Sequence, residues 1–335
     1  MKTIAKPMTI GLDVERAAQL LKQGLLVGMP TETVYGLAAD ASNKDALVRL
    51  FSAKGRPTNH PVIVHVASVD ALPDWAVEVP KLAYDLAERF WPGPLTMIFK
   101  KHAHVLYEVT GGQETVAIRV PRHEVALSLL QKFGGGIAAP SANRFGKLSP
   151  TSASDVEGEF GDAVAYVLDG GTCEVGIEST IVDLSGAQPR VLRPGMLSLE
   201  QLNQIEGLHA RNRDEAASAP RAPGTLKSHY SPSTPVKLVS GANLDSVLSE
   251  LKNSSKKAAV LSFKTKRDNA TQQANTAWIV APGDPDNYAR KLYSSLRQLD
   301  NLECDLIIVE EVPSTDSWSG IQDRLQRASV REGDQ

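Results

Sequence analysis

The chain has 335 residues, 42% hydrophobic and 22% charged, the composition of a folded globular protein long enough for about two domains. Its 36 basic and 39 acidic side chains leave a net charge of −3, and only 5% of residues are aromatic. That balance excludes a globally basic, stacking-rich nucleic-acid binder, while a local basic patch stays open. No apolar run approaches the roughly 20 residues that span a bilayer, and the opening Met1–Pro7 stretch has no apolar signal core. Cys173 and Cys304 are far apart and in no metal-ligand spacing. The expectation is a cytoplasmic, disulfide-free protein that does not engage membranes.

In chain order, Leu25–Pro30 reads as a strand and Asp45–Lys54 as a helix. Pro61–Val66 follows as a strand, Lys81–Phe90 as a helix, and Leu95–Lys100 and Thr115–Val120 as strands. His123–Phe133 is a predicted helix and Gly136–Pro140 a short buried strand, with further strands at Val164–Leu168, Thr180–Leu184 and Arg190–Leu192. Several strands succeed one another without helices, so the class is mixed α/β rather than a strict βαβ repeat. Near Gly207 the composition changes, and Arg211–Thr225 holds almost no large apolar residue, which is linker chemistry. Beyond it, strands at Val236–Val239, Ala258–Phe263, Trp278–Ala281 and Asp305–Glu310 alternate with helices at Leu244–Leu251 and Gly320–Ala328. Between them, Asp284 and Pro285 open a helix whose face carries Ala289, Leu292, Leu296 and Leu299. This alternation predicts a small open α/β sheet.

Phosphate-loop, dinucleotide and zinc-protease motifs are absent; Phe145-Gly146-Lys147-Leu148 lacks the hydroxyl that follows Lys in a phosphate loop. Pro30-Thr31-Glu32-Thr33-Val34-Tyr35-Gly36-Leu37 instead puts hydroxyls and a carboxylate after a strand, a good place for a ligand or an ordinary polar turn. Lys54-Gly55-Arg56-Pro57 sets two cations around a glycine, suited to an anion or to closing a helix. His65, alternating with apolar residues, also reads as a core histidine. Arg119 shares a strand face with Ala117 and Pro121 and needs an anionic partner, either a protein carboxylate or a ligand. Ala139-Pro140-Ser141-Ala142-Asn143 with Ser149-Pro150-Thr151 can cradle phosphate oxygens or simply cap a helix near Asp155. Gly176–Asp183 (GIESTIVD) and Arg193-Pro194-Gly195 close the series.

Taken in order, PTETVYGL (30–37), KGRP (54–57), HPVIVH (60–65), WPGPLT (91–96), AIRVP (117–121), APSAN (139–143), SPT (149–151), GIESTIVD (176–183) and RPG (193–195) resemble the Sua5/YrdC family of L-threonylcarbamoyladenylate synthases. The resemblance covers roughly residues 10–205, and His229-Tyr230-Ser231-Pro232 before a small α/β domain resembles the longer Sua5 form. It implies a YrdC-like twisted mixed sheet over 1–206, a linker or lid over 207–235, and a Rossmann-like Sua5 domain over 236–335.

The implied activity is nucleotidyl transfer: L-threonine, bicarbonate and ATP yield threonylcarbamoyl-AMP, pyrophosphate and water. A downstream transferase system then moves the threonylcarbamoyl group to adenosine 37 of tRNA, so tRNA is an indirect partner. Mg²⁺ is implied with the triphosphate. Carried over by position, Thr33, His65, Arg119 and Ser179 match the family's threonine contacts. Lys54 and Arg56 match its catalytic cations, and Arg56, His60, Thr115, Ser141, Asn143, Ser149, Arg193 and Tyr230 its ATP contacts. His60 departs from the Asn often found before that Pro. Two other readings compete: a non-catalytic RNA-binding module, and a hydrogenase-maturation carbamoyltransferase, whose extra zinc-finger and acylphosphatase segments have no counterpart here.

Overall fold

Asn43 starts the helix Lys44–Lys54 by accepting hydrogen bonds from the backbone of Asp45 and Ala46. Its buried face runs through Leu47, Leu50 and Phe51 to Lys54, so helical periodicity carries a cation into the interior. The helix stops at Gly55, which takes the left-handed conformation at φ +63° and turns the chain so that Arg56 N–H bonds Phe51 O. The computed structural model describes residues 9–212, 219–252, 256–263 and 277–330. It divides into two units, residues 1–145 with 149–225, and residues 146–148 with 226–335.

In the first unit the described strands are β1 (Ile10–Gly11), β2 (Val27–Met29), β3 (Gly36–Asp40), β4 (Ile63–His65), β5 (Ala76–Val77) and β6 (Leu95–Lys101). They continue with β7 (Thr115–Arg119), β8 (Ile137–Ala138), β9 (Tyr166–Leu168), β10 (Thr180–Asp183), β11 (Arg190–Arg193) and β12 (Arg211–Asn212). They form one mixed sheet in the order β1-β9-β2-β3-β8-β4-β7-β6-β10-β11-β12, with β5 added on β6. Strands β4 and β7 are parallel, β6 is antiparallel to β7, and β10 is parallel to β6.

The two faces of the central strands differ. Val64, Val66, Met97, Phe99, Val116, Ile118 and Val182 enter the large core with Leu47, Leu50, Leu86 and Val109. The alternate residues Ile63, Ile98, Ala117 and Ile181 form a small cluster with Leu192 and Ala222, against which Ala219 also packs. Arg221 donates to Gly111 O, and Gln113 Oε1 accepts from its backbone N–H. Residues 219–225 of the expected linker are thus part of the first unit, 226–235 belong to the second, and 213–218 lie outside the described residues. The helix Val14–Lys22 and strand β3 are two elements that periodicity missed.

The second unit has four described strands, β13 (Val236–Val239), β14 (Ala258–Ser262), β15 (Ala277–Val280) and β16 (Leu306–Glu310). They are all parallel, in the order β13-β16-β14-β15. Parallel sheets need cover on their faces, and the helices Leu244–Lys252, Pro285–Asp300 and Ser319–Ser329 follow β13, β15 and β16 in the chain. Asp284 caps the middle helix through Asn287 N, with Pro285 at its first position, as the sequence predicts.

Candidate active site

The small apolar cluster of the first unit marks the face on which the polar residues gather. Strands β4 and β7 pair with Ile63 opposite Ala117 and His65 opposite Arg119. One pleat beyond the cluster, that face carries His65 and Arg119; one pleat before Ile98 and Ile181 it carries Thr96 and Ser179. The Thr96 and Ser179 hydroxyl oxygens are 2.7 Å apart, and Arg193 Nη2 donates to Ser179 Oγ at 3.1 Å. Arg193 also donates from Nε to Ser179 O and from Nη1 to Pro223 O.

Arg119 is 3% exposed, while Glu32, Thr33 and Ser179 are fully buried. Its Nε donates to Gly93 O at 3.2 Å and its Nη1 to Thr33 Oγ1 at 2.8 Å. Its Nη2 lies 2.8 Å from Glu32 Oε2. The anionic partner that an interior arginine requires is therefore present in the chain. Thr31 Oγ1 fixes the turn by accepting from Thr33 N and Val34 N and donating to Val34 O. Burial, with the Arg119 charge, holds His65 neutral by lowering its pKa to about 3.

The second group gathers around Lys54. Its ammonium donates to Ser141 O and, at 2.6 Å, to Asn143 O. Gly36 bridges Ser141 on the neighbouring segment, and a Cβ at Gly36 would meet that of Ala139 at 2.9 Å, so only glycine permits the approach. Burial first and Arg56 second pull the Lys54 pKa well below the usual lysine range, against the opposing charges of Glu159 and Glu178. Arg56 donates to Pro61 O at 2.8 Å and lies 5.5 Å from the centre of the Phe145 ring. The His60 imidazole meets the same ring edge-on at 5.3 Å, and burial and Arg56 lower its pKa. Asn143 is buried and its Nδ2 donates to Arg144 O. Ser149, fully buried, donates to Glu178 Oε1 beside Ser179.

Thr115 opens β7 on the face of Ala117 and Arg119, about 13 Å along the strand from Arg119 and, by the β4–β7 register, level with Pro61, whose carbonyl accepts from Arg56. Tyr230 belongs to the second unit, where its ring packs on His229, Tyr293 and the Arg324 guanidinium, with its backbone at φ +58°. Glu32, Thr96 and Glu178 were not among the expected site residues. For the carboxylates the signal was their place between hydroxyl residues, Thr31-Glu32-Thr33 and Glu178-Ser179. Among the described residues, no three His, Cys, Asp or Glu side chains gather as a metal site, and no helix is long and apolar enough to cross a membrane.

A mixed sheet with buried cations and hydroxyls along one strand face, together with a parallel-sheet unit, defines a two-unit α/β protein. Residues 19–195 match the Sua5/YciO/YrdC family model, described as telomere recombination. Residues 197–330 match the model described as the threonylcarbamoyl-AMP synthase C-terminal domain. The chain belongs to this Sua5/YrdC family. It is 38% identical to the threonylcarbamoyl-AMP synthase of Pyrococcus abyssi over 93% of each chain. It is 36% identical to that of Bacillus subtilis, over 94% of this chain and 92% of the other. The crystal structure of P. abyssi Sua5 complexed with L-threonine matches with a TM-score of 0.88 at 36% identity, covering 96% of this chain and 97% of that one.

Proposed function

We propose that this chain is a threonylcarbamoyl-AMP synthase, joining L-threonine, bicarbonate and ATP into threonylcarbamoyl-AMP with release of pyrophosphate and water. The observation that carries this reading is the single strand face on which His65, Arg119, Thr96 and Ser179 extend the apolar cluster, with Thr33 bonded to Arg119 and Arg193 bonded to Ser179. Arg119 takes the threonine carboxylate, while Thr33 and Ser179 supply hydroxyls that read its polar groups. The neutral amine combines with bicarbonate, losing water, to give a carbamate. A carbamate oxygen then attacks the α-phosphorus and pyrophosphate leaves, which makes the enzyme a nucleotidyltransferase.

No side-chain nucleophile is needed for that sequence. The protein contributes position and charge neutralisation, which Lys54, Arg56 and Arg193 provide as buried cations. Ser141, Asn143, Ser149, Thr115 and His60 line the proposed nucleotide side, and Tyr230 is assigned there by family position alone. Mg²⁺ fits as an ion held mainly by the phosphates, since the described residues offer no acidic cage. When bound, it would neutralise phosphate charge, and Glu178, whose Oε1 accepts from Ser149, is the carboxylate we assign to that side. A non-catalytic RNA-binding role is disfavoured because Lys54, Arg56, Arg119 and Arg193 are buried, whereas backbone-tracking cations lie in open grooves. We place the enzyme in the cytoplasm, upstream of a transferase that delivers the threonylcarbamoyl group to tRNA.

The test is incubation with ATP, labelled bicarbonate and each amino acid in turn. Pyrophosphate release and a labelled adenylate with threonine are expected. Pyrophosphate release that ignores the amino acid, or no adduct at all, contradicts the proposal.

A further inference from the structure

Glu32 poses a problem that Arg119 only half solves. The side chain is fully buried, and a carboxylate out of water requires a positive partner and hydrogen-bond donors. Arg119 supplies the charge, 2.8 Å away. Yet neither Glu32 oxygen, nor Arg119 Nη2, has a hydrogen-bond partner within the chain. The two groups are in contact but out of alignment, so each retains unused capacity toward a third group. Two further Arg119 nitrogens are already committed, Nε to Gly93 O and Nη1 to Thr33 Oγ1.

An unaligned cation and anion side by side complement a molecule that carries both charges at the same spacing. A free α-amino acid is such a molecule, with one carbon separating its ammonium from its carboxylate. Resting on the proposed function, in which Arg119 receives the threonine carboxylate, the α-ammonium must then fall close to whatever carboxylate touches Arg119. Glu32 is that group, held by the same turn that places Thr33. We propose that Glu32 is the ammonium subsite of the threonine pocket. It selects the zwitterion and points the amine, rather than serving only as a counter-charge for Arg119.

The two roles separate in a binding experiment on the full-length protein. Calorimetry compares L-threonine with (3R)-3-hydroxybutanoate, which keeps the carboxylate and hydroxyl but has hydrogen in place of the amine. A charge-assisted contact predicts that the wild-type protein prefers threonine by about 10- to 150-fold. In Glu32→Gln that preference should shrink to within about threefold, through weaker threonine binding. If Glu32 serves only to hold Arg119, both ligands carry the affected carboxylate, both weaken together, and the preference survives; that result overturns the proposal. So does a wild-type protein that binds both ligands equally. A wild-type protein that binds no threonine overturns the functional reading itself, and this inference with it. Should melting show that Glu32→Gln does not fold, Glu32→Asp is measured instead. Threonine must then weaken more than the analogue, and equal weakening refutes the subsite.

Discussion

Two faces of the same central strands, one residue apart in sequence, do different work. On one side Val64, Val116 and Ile118 enter the large apolar core, and their neighbours His65 and Arg119 point the other way. The core face follows the rule that buried strands are apolar. The opposite face breaks it with a neutral histidine and an arginine, the latter meeting the Glu32 carboxylate of the turn after β2, all nearly inaccessible to water. Period-two alternation lets one strand serve both purposes, so substitutions on the two faces should fail in different assays.

The largest effect expected is in substrate choice. Valine nearly matches threonine in shape but lacks its hydroxyl. A buried site that hydrogen-bonds that hydroxyl should reject valine by about 10⁴-fold in kcat/KM, and serine by only about 10- to 200-fold. Equal use of valine and threonine would mean that the polar face does not read the hydroxyl. On the core side, Ile118→Ala should cost about 2–5 kcal/mol in a urea titration, because it leaves a cavity. Threonine affinity should persist in the molecules that stay folded.

Arg56→Ala and Lys54→Ala sharpen the contrast because their side chains have different duties. Each should reduce turnover at low ATP by about 10- to 150-fold. Lys54 also holds the carbonyls of Ser141 and Asn143, so its loss should destabilise the fold by a further ~1–3 kcal/mol. Arg56, which donates to Pro61 O and is 8% exposed against 2% for Lys54, should show the smaller stability change of the two. Equal melting temperatures for the two variants would argue against this division.

A further effect is expected in acid, on stability alone. His65 is neutral when folded, with a pKa near 3, against an ordinary value of 6.5. Below pH 6.5 the unfolded chain takes up a proton that the folded one refuses, so stability falls as pH falls. The slope approaches about 1.4 kcal/mol per pH unit until the folded pKa is reached. His65→Asn should flatten stability measured between pH 6.5 and 4; an unchanged slope would show that other groups dominate acid unfolding.

How much of this could be read from the chain alone differed between the faces. The helix Lys81–Phe90, strand Val236–Val239 and the Asp284 cap were legible because each obeys local periodicity or capping rules. Strand β3 was not. Its sequence, Gly-Leu-Ala-Ala-Asp, is poor in strand formers and becomes a strand through pairing with β2 and β8. The helix Val14–Lys22 hides its apolar stripe in the small residues Ala17 and Ala18. The site motifs were visible as clusters of hydroxyls and charges, but local sequence could not supply Arg119's partner, because Glu32 lies 87 positions away and meets it only through the sheet. Nor could composition show that Ala219 and Ala222 pack with the small apolar cluster of the first unit.

The division between faces is tested most directly by measuring urea stability and threonine affinity together on Ser179→Ala and Ile118→Ala. Ser179 bonds Thr96 and Arg193 on the polar face; Ile118 is sealed in the core. The account predicts that Ser179→Ala loses threonine affinity by about tenfold or more with a stability loss near 1 kcal/mol, while Ile118→Ala loses stability and retains affinity. If Ser179→Ala binds threonine as tightly as the wild type, or Ile118→Ala loses affinity in fully folded protein, the two faces are not separate and the account is contradicted.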